Sequence, residues 1–323
     1  MKIRTLHLLP ILFLLVLFSC SKKVKIPVSR ENFSKIKYAK GFEIIEDQGL
    51  KKLRIKSAYQ NADRTFEYFI EKRNTLVPTK KNVIQIPIQH LVVTSTTHIP
   101  MVELLDEEKS IVGFPHTQYI SSKKTRALID AGKITEIGNE NSLNTEILLD
   151  LHPELVVGFS VSSADKSLTT IQKAGIQVIY NGDWLEESPL GRAEWIQFFG
   201  VLFDKEKKAD SIFKVIEKNY IDAKNTALKI TKKPSILSGA VMNKDIWNLP
   251  AGESFVAQFL KDANLDYLWK DSKGKGSLSL SFESVFDRGV TADFWIAPGY
   301  FTSKEQLLNS NQLYAQFKAF QND

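Results

Sequence analysis

Seven histidine, aromatic and serine side chains lie in loops that interrupt or follow short apolar stretches of the sequence. We predict that most of these stretches are strands of a mainly parallel sheet, because they alternate with helical segments. Loops at the carboxyl ends of such strands meet at one edge, which is where open α/β sheets bind ligands. Aromatic faces with a few polar groups suit ligand binding. The candidate ligand-binding residues are His98, His116, Tyr119, Ser160, Trp184, Trp247 and Tyr300.

Each of these residues also has a structural alternative. Trp184 and Trp247 either present their rings to a ligand or are buried in a core, and the same choice applies to the two tyrosines. The histidines form no His-x-His or His-x-x-x-His pair, so the sequence predicts no metal site. His98 or His116 could still contact a metal carried by a ligand, or could serve only as a hydrogen-bonding group.

Motifs of common catalytic sites are absent from the sequence. There is no Gly-x-Ser-x-Gly elbow, no P-loop, no Gly-x-Gly-x-x-Gly turn after a strand and no His-Glu-x-x-His. Cys20 is the only cysteine, so the chain that follows it has no thiol for a disulfide, a zinc-thiolate site or a nucleophile. We therefore predict that the protein is not an enzyme.

A unit made of a helix followed by a strand occurs twice in the sequence, once in each half of the chain. Asn144 and Ser281 are good N-cap residues, and each is followed two positions later by a glutamate, Glu146 or Glu283, in the first helical turn. A short apolar run follows each helix and reads as a buried strand. We expect His152 to end the first helix and Gly289 to adopt a left-handed conformation after the second. The repeat predicts two related α/β lobes.

The amino terminus has the layout of an export signal. Lys2 and Arg4 precede an apolar run at 8–18, which is too short for a transmembrane helix. Cys20 resembles the lipobox cysteine of bacterial lipoproteins, which implies lipidation, although an ordinary secretory signal is the alternative. We expect residues 1–20 to be a lipoprotein signal peptide and lipobox, and residues 21–35 to be a tether, so that the product is exported to the periplasm and anchored in a membrane.

The net charge gives no sign of a nucleic-acid partner. The chain has 43 basic and 37 acidic residues and a formal net charge of +6. Both signs are well mixed along the sequence, with no long run of one sign. We therefore predict no nucleic-acid binding.

The remaining chain divides into four segments. Residues 36–88 alternate between apolar and polar positions and predict a small antiparallel β extension, which either packs on the main domain or binds a partner. Residues 89–205 alternate strands and helices and form the predicted N-terminal lobe. Residues 206–232 contain one long amphipathic helix without proline or glycine up to position 232, which we interpret as a linker. Residues 233–323 form the predicted C-terminal lobe.

The order of these features resembles a known family. A strand that ends in Ser-Thr-Thr-His at 95–98, the Glu-Ser-Pro-Leu-Gly-Arg-Ala-Glu-Trp-Ile run at 187–196, the unit at 144–159 and a long connecting helix are similar to the periplasmic binding proteins of cobalamin, haem and ferric-siderophore ABC importers. The similarity extends over about residues 90–320. It implies two Rossmann-like lobes joined by one long helix, the class III arrangement, with a ligand in the cleft between them.

The resemblance also implies a function and partners. The protein would capture a metal chelate that itself contains iron or cobalt and deliver it, as a monomer, to an ABC permease with its ATPase. One acidic residue on each lobe docks on the permease in that family, and by position these are Glu146 and Glu283. The other readings are a lipoprotein that binds a protein partner through residues 36–88, and a chelatase-like enzyme. Family members continue beyond the position of Asp323, so we expect the C-terminal lobe to be truncated.

Overall fold

A computed structural model describes residues 32–33, 36–47, 50–59, 62–73, 83–139, 142–160, 166–243 and 245–322. The predicted signal peptide, Cys20 and most of the predicted tether lie outside these residues. In the described part, no helix combines the length and the apolar character that a membrane crossing requires.

The N-terminal extension is a five-stranded sheet in the order β1-β2-β3-β4-β5. The first four strands pair antiparallel, as predicted, but β5 runs parallel to β4. Its buried residues belong to the same hydrophobic core as those of the N-terminal lobe. The extension therefore packs on the main domain, as one of the two sequence readings proposed. Its strands are β1 (Asn32–Phe33), β2 (Phe42–Asp47), β3 (Leu50–Ile55), β4 (Phe66–Lys72) and β5 (Val83–Ile86).

The N-terminal lobe is built on a parallel sheet in the order β12-β11-β6-β7-β8. Its central strands are wholly buried, which is why they read as continuous apolar runs. The strands are β6 (Leu91–Val93), β7 (Ile111–Phe114), β8 (Thr135–Glu136), the separate hairpin β9 (Gly138–Asn139) and β10 (Ser142–Leu143), β11 (Leu155–Gly158) and β12 (Val178–Tyr180). The helices are α1 (His98–Leu104), α2 (Lys123–Asp130), α3 (Thr145–Leu151), α4 (Lys166–Lys173), α5 (Pro189–Glu194) and α6 (Ile196–Leu202).

One helix, α7 (Glu206–Ala227), connects the two lobes over 22 residues. At 1.5 Å per residue it is about 33 Å long. Ala209 and Phe213 are buried at its first half. Near its second half, Tyr220 donates a hydrogen bond of 2.8 Å to Asp262 of the C-terminal lobe, and the Lys224 ammonium lies 2.7 Å from the same carboxylate. The helix is therefore attached by side chains to both lobes.

The C-terminal lobe contains two small sheets. One is parallel, in the order β16-β13-β18, and the other is antiparallel, in the order β14-β15-β17. The strands are β13 (Ser235–Ser238), β14 (Ala240–Asn243), β15 (Ile246–Pro250), β16 (Asp266–Tyr267), β17 (Ser277–Ser281) and β18 (Phe294–Ile296). The helices are α8 (Phe255–Asp262), α9 (Phe282–Gly289), α10 (Lys304–Ser310) and α11 (Lys318–Gln321).

The repeated helix-then-strand unit is present in both lobes. Asn144 caps α3 by accepting hydrogen bonds from two backbone N–H groups, and Ser281 caps α9 in the same way with one. His152 ends α3 in the left-handed conformation, with φ of 46°. The prediction for Gly289 is wrong, because this residue is the last one of α9 and is not left-handed. Its lack of a side chain instead lets Leu237 approach to 3.2 Å from where a Cβ would lie.

Candidate ligand site at the strand edge

The predicted edge of the N-terminal lobe gathers the loops that follow four neighbouring strands. Because β12, β11, β6 and β7 are adjacent and parallel, their carboxyl ends share one side of the sheet. The loop at 181–186 follows β12, residues 159–160 follow β11, the loop at 94–97 follows β6, and the loop at 115–120 follows β7. Five of the seven predicted residues, from His98 to Trp184, are therefore placed at this edge by the sheet order.

Trp184 and Phe159 form an aromatic pair at this edge. Their ring centroids are 5.6 Å apart at an interplanar angle of 62°, an edge-to-face contact, and both side chains are half-buried. The backbone N–H of Phe159 donates a 2.7 Å hydrogen bond to Thr94 Oγ1, which fixes the turn after β11 against the turn after β6. Phe159 was not among the predicted residues, although its place directly after a buried strand was a usable signal. Ser160, which was predicted, is 1% exposed.

His116 and Tyr119 form a second aromatic contact, after β7. The ring centroids lie 5.4 Å apart. His116 adopts the left-handed conformation at φ 51°, and the Glu136 carboxylate accepts hydrogen bonds of 2.7 Å from the backbone N–H groups of His116 and Thr117. Tyr119 is 64% exposed. The backbone of this loop is thus held by Glu136, with Tyr119 exposed and His116 half-buried, and the ligand-binding role of both residues stays a prediction.

His98 does not reach the surface of the site. It is the first residue of α1 and not a loop residue, and it is fully buried. Its ring packs 5.6 Å from Phe199. Burial lowers the pKa of its imidazole, although the nearby Asp183 carboxylate and Asn181 amide act in the opposite direction. The imidazole is therefore an element of the core next to the strand edge, and the structure does not offer it to a ligand.

A buried polar cluster lies behind the Trp184 loop. Asn181 and Asp183 are buried, and the backbone N–H of Asp183 donates a 2.9 Å hydrogen bond to Asn181 Oδ1. Within the described part of the chain, Asn181 Nδ2, Asp183 Oδ1 and Trp184 Nε1 are buried without a hydrogen-bond partner. Unpaired buried polar atoms cost about 1–3 kcal/mol each. Both ring nitrogens of His98 are unpaired in the same way, so this cluster calls for a water molecule or another bound polar group as its partner.

The two candidates in the C-terminal lobe differ sharply in exposure. Trp247 was predicted in a loop, but it lies on β15 and is 0% exposed. Its ring packs 5.1 Å from Trp295 and its indole N–H donates a 3.0 Å hydrogen bond to the Ser238 carbonyl, so it is a core residue. Tyr300 follows the carboxyl end of β18 and is 91% exposed. Only Tyr300 therefore has the access that a ligand contact needs.

Contacts between the lobes were not anticipated from the sequence. The Arg192 guanidinium of α5 lies 3.8 Å from the ring centroid of Phe255, which begins α8 in the other lobe. Nearby, Glu187 forms an ion pair with Lys275. Arg192 also donates hydrogen bonds to the carbonyls of Trp184 and Glu186, at 2.8 and 3.2 Å. The conspicuous Glu-Ser-Pro-Leu-Gly-Arg run at 187–192 was the available signal, because it supplies both residues that reach across.

Glu146 and Glu283 occupy equivalent positions on separate lobes. Each lies in the first turn of its helix, and each side chain is exposed. Among the described residues, neither carboxylate forms an ion pair or a side-chain hydrogen bond, so both are accessible to basic groups of a partner.

A cavity of about 680 Å³ lies elsewhere in the C-terminal lobe. It is lined by residues before and at the amino ends of β13 and β18, among them Pro234, Asp293 and Phe294. Parallel sheets bind ligands at the opposite, carboxyl ends of their strands. We therefore do not assign this cavity to the predicted site. No group of three or more His, Cys, Asp or Glu side chains that could hold a metal is found among the residues that the structure describes.

Two α/β lobes joined by one long helix, with aromatic groups at a carboxyl edge, define a binding protein of the type that the sequence resembles. The family model described as "Periplasmic binding protein" matches residues 91–323. The chain belongs to this family, which confirms the resemblance and the predicted fold class.

Individual relatives and solved structures share a low sequence identity with this chain. The uncharacterised lipoprotein MJ0878 of Methanocaldococcus jannaschii is 26% identical over 325 residues, which cover 92% of this chain and 77% of the relative. The periplasmic haem-binding protein HutB of Vibrio cholerae has a TM-score of 0.59 at 17% identity, over 72% of this chain and 87% of that one. The periplasmic vitamin B12-binding protein BtuF of the same organism has a TM-score of 0.53 at 14% identity, over 73% of this chain and 86% of that one. At these identities the two solved structures support the fold.

Proposed function

We propose that this protein captures a metal chelate, of the corrinoid, haem or ferric-siderophore class, at the carboxyl edges of its two lobes. The observation that carries the proposal is the pairing of Trp184 with Phe159, together with the exposed Tyr119 two strands further along the same edge. These rings offer flat apolar faces at the edge where the fold binds ligands. His116, next to Tyr119, adds an imidazole that could hydrogen-bond a ligand or contact its metal.

The same proposal includes delivery to an ABC permease and its ATPase. Glu146 and Glu283 support it, because two exposed carboxylates without intramolecular partners among the described residues can read the spacing of two basic patches. Lipidation at Cys20 would keep the protein at the membrane where the permease lies. The relative MJ0878, which is described as a lipoprotein, supports an exported and anchored product.

Titration with a panel of chelates tests the proposal. Haemin, cyanocobalamin, cobinamide and ferric hydroxamates would be added in turn to the purified chain, and both the visible absorption of the chelate and the melting temperature would be followed. We expect one class to bind saturably and to stabilise the protein by RT ln(1 + [L]/Kd), about 2.7 kcal/mol at a hundredfold excess over Kd. Failure of every class to shift either signal would contradict the proposal.

Neither of the other readings gains an observation in its favour. The extension shares its core with the N-terminal lobe, which accounts for its apolar residues without a protein partner. At the strand edge, His98 is buried against Phe199 and therefore gains no support as a catalytic base.

A further inference from the structure

We propose that the N-terminal extension is a structural part of the ligand site, because it holds the loop that carries Trp184. This inference rests on the proposed function for its effect on affinity. We call residues 181–187 the Trp184 loop, and Glu186 together with Glu194 the carboxylate clamp. The positioning residues are the two glutamates of the clamp, which bind the backbone of the extension at residues 37–41.

Glu194 binds the backbone of the first part of this segment, residues 37–39. Its carboxylate accepts hydrogen bonds from the backbone N–H groups of Lys37, Tyr38 and Ala39, at 2.8, 2.6 and 2.7 Å. The side chain comes from α5 and is only 2% exposed. Hydrogen bonds to an ionised group are stronger than neutral ones, by roughly a factor of two. Three of them on one buried carboxylate fix the path of the chain as it enters the extension.

Glu186 binds the backbone of the rest of the segment, residues 40–41. It accepts hydrogen bonds from the backbone N–H groups of Lys40 and Gly41, at 2.9 and 2.8 Å, and from the indole N–H of Trp195 at 3.0 Å. It is 5% exposed. In the part of the chain that the structure describes, neither clamp carboxylate pairs with a lysine or arginine side chain. Five consecutive backbone N–H groups, at 37–41, therefore supply most of the hydrogen bonds to two buried carboxylates, and removing the segment would leave Glu186 with the indole N–H of Trp195 alone.

The Trp184 loop also touches the extension through its backbone. A Cβ at Gly182 would lie 1.8 Å from the carbonyl oxygen of Ser57, which is part of the extension. No side chain fits at that distance, so the close approach requires glycine. Gly191, just after the loop, is crowded in the same way, since its Cβ would lie 3.0 Å from Glu186 Oε2 and 3.3 Å from the Tyr38 carbonyl.

The strand that leads into the loop is covered by the extension as well. Phe66 and Tyr180 pack with ring centroids 4.7 Å apart, and the backbone N–H of Tyr180 lies 3.4 Å from the hydroxyl of Tyr68. Tyr180 is the last residue of β12, immediately before Asn181. The extension therefore supports both the strand end and the loop that follows it.

Arg192 of α5 also holds the loop. It donates hydrogen bonds to the carbonyls of Trp184 and Glu186 and stacks on Phe255 of the other lobe. The loop is thus fixed by two sets of contacts, one from the clamp and the extension and one from Arg192. Releasing the clamp would remove one of these two supports, so the ring of Trp184 would lose its fixed position relative to Phe159.

The experiment compares Glu194→Gln with Glu154→Gln in the purified full chain. Glu154 also ties the N-terminal lobe to the extension, because it pairs with Arg73 of the extension, and it accepts hydrogen bonds from the N–H groups of Gln89 and His90 where the lobe begins. It lies before β11, at the amino edge of the sheet, away from the Trp184 loop. It is therefore a matched control for loss of a junction carboxylate.

Two measurements are made on each variant. Amide hydrogen exchange of residues 181–187 reports the loop without any ligand, and titration with haemin and cyanocobalamin reports affinity. We expect Glu194→Gln to speed exchange in the loop about tenfold and to raise Kd about tenfold, while Glu154→Gln lowers the melting temperature but leaves both values near wild type. If Glu194→Gln does not fold, Glu194→Asp, which keeps the charge and withdraws it by one methylene, takes its place.

The outcomes separate this inference from the proposed function. Equal loop exchange in the two variants would overturn the inference, and so would faster exchange at unchanged Kd. If neither probe binds the wild-type chain, the proposed function fails for these chelates. Exchange of residues 181–187 then decides by itself whether the clamp holds the loop.

Discussion

The surroundings of each aromatic or imidazole ring decide whether a predicted residue is accessible or belongs to the core. Trp184 and Trp247 are both tryptophans. Trp184 is half-buried on a loop, whereas Trp247 is enclosed by Trp295 and its aromatic neighbours. His116 and His98 differ in the same way. Exposure, and not residue type, therefore decides which of the predicted residues can meet a ligand.

Removing the Trp184 ring should weaken ligand binding. We expect Trp184→Ala to raise Kd for the bound chelate about tenfold or more, because burial of a large apolar side chain contributes about 1.5–3 kcal/mol. Trp184→Phe keeps an aromatic face and should stay within about threefold of wild type. Absorption titration of both variants measures this. Wild-type affinity in Trp184→Ala would show that the ring does not contact the ligand.

His98 should make stability depend on pH in a defined direction. Its pKa is lowered in the folded state by burial, so the unfolded chain binds the proton more readily. The neutral form is present in both states above the unfolded pKa of about 6.5, and stability falls as the pH drops below that value. For one proton the slope is at most about 1.4 kcal/mol per pH unit.

Urea unfolding at several pH values between about 5 and 7.5 checks this. His98→Gln should flatten the decline on the acid side. The idea fails if the wild type and His98→Gln lose stability in parallel as the pH falls.

At the scale of elements, several of the contacts that attach α7 to the C-terminal lobe meet at one carboxylate, that of Asp262. Asp262 accepts hydrogen bonds from Tyr220 on α7 and from Gln258 on its own helix, and it pairs with Lys224. Burial raises the pKa of this carboxyl, but the hydrogen bonds outweigh it, and the net direction is downward. The group therefore stabilises the fold above its unfolded pKa of about 3.9, and this contribution is lost as the pH falls through the folded value.

Asp262→Asn should destabilise the chain at neutral pH by about 1–2 kcal/mol, since it removes the charge from a carboxylate that is 12% exposed and accepts two hydrogen bonds, although its ion-pair partner Lys224 is 41% exposed. Asp222→Asn on α7 is the control, because its ion pair with Lys218 is exposed on both sides and should contribute less than about 0.5 kcal/mol. Denaturant midpoints of the two variants give the comparison. Equal losses would mean that Asp262 has no special role in attaching the lobe.

At the scale of the whole molecule, two lobes present equivalent exposed glutamates. The equivalence follows from the repeated helix-then-strand unit, in which a capping residue places a carboxylate in the first turn. A partner with two basic patches would therefore meet one carboxylate on each lobe.

Reversing both charges should abolish delivery without affecting capture. We expect Glu146→Lys with Glu283→Lys to reduce uptake of the bound chelate by cells at least tenfold, while Kd of the purified protein is unchanged. Glu305→Lys is the control, since Glu305 is also an exposed first-turn glutamate of the C-terminal lobe. Normal uptake with both charges reversed would exclude docking through these residues.

Much of the fold could be predicted from local pattern. Apolar runs bounded by polar loops located β6, β7, β11 and β13, and the absence of proline and glycine over residues 206–232 located α7, which begins at 206 and ends at 227. Other features could not be read locally. Trp247 was expected in a loop because its flanks are polar, but pairing with β14 and β17 makes it part of a strand.

The sequence by itself determined the two-lobe plan, the connecting helix, the strand edge at which a ligand site is predicted and the exposed pair Glu146 and Glu283. These depend on periodicity, capping and chain order, which are local properties. Tertiary structure alone decided which rings are accessible, and it revealed that Glu186 and Glu194 bind the backbone at 37–41. That contact joins residues about 150 positions apart, and no local pattern marks a carboxylate whose partners are backbone N–H groups so distant in the chain.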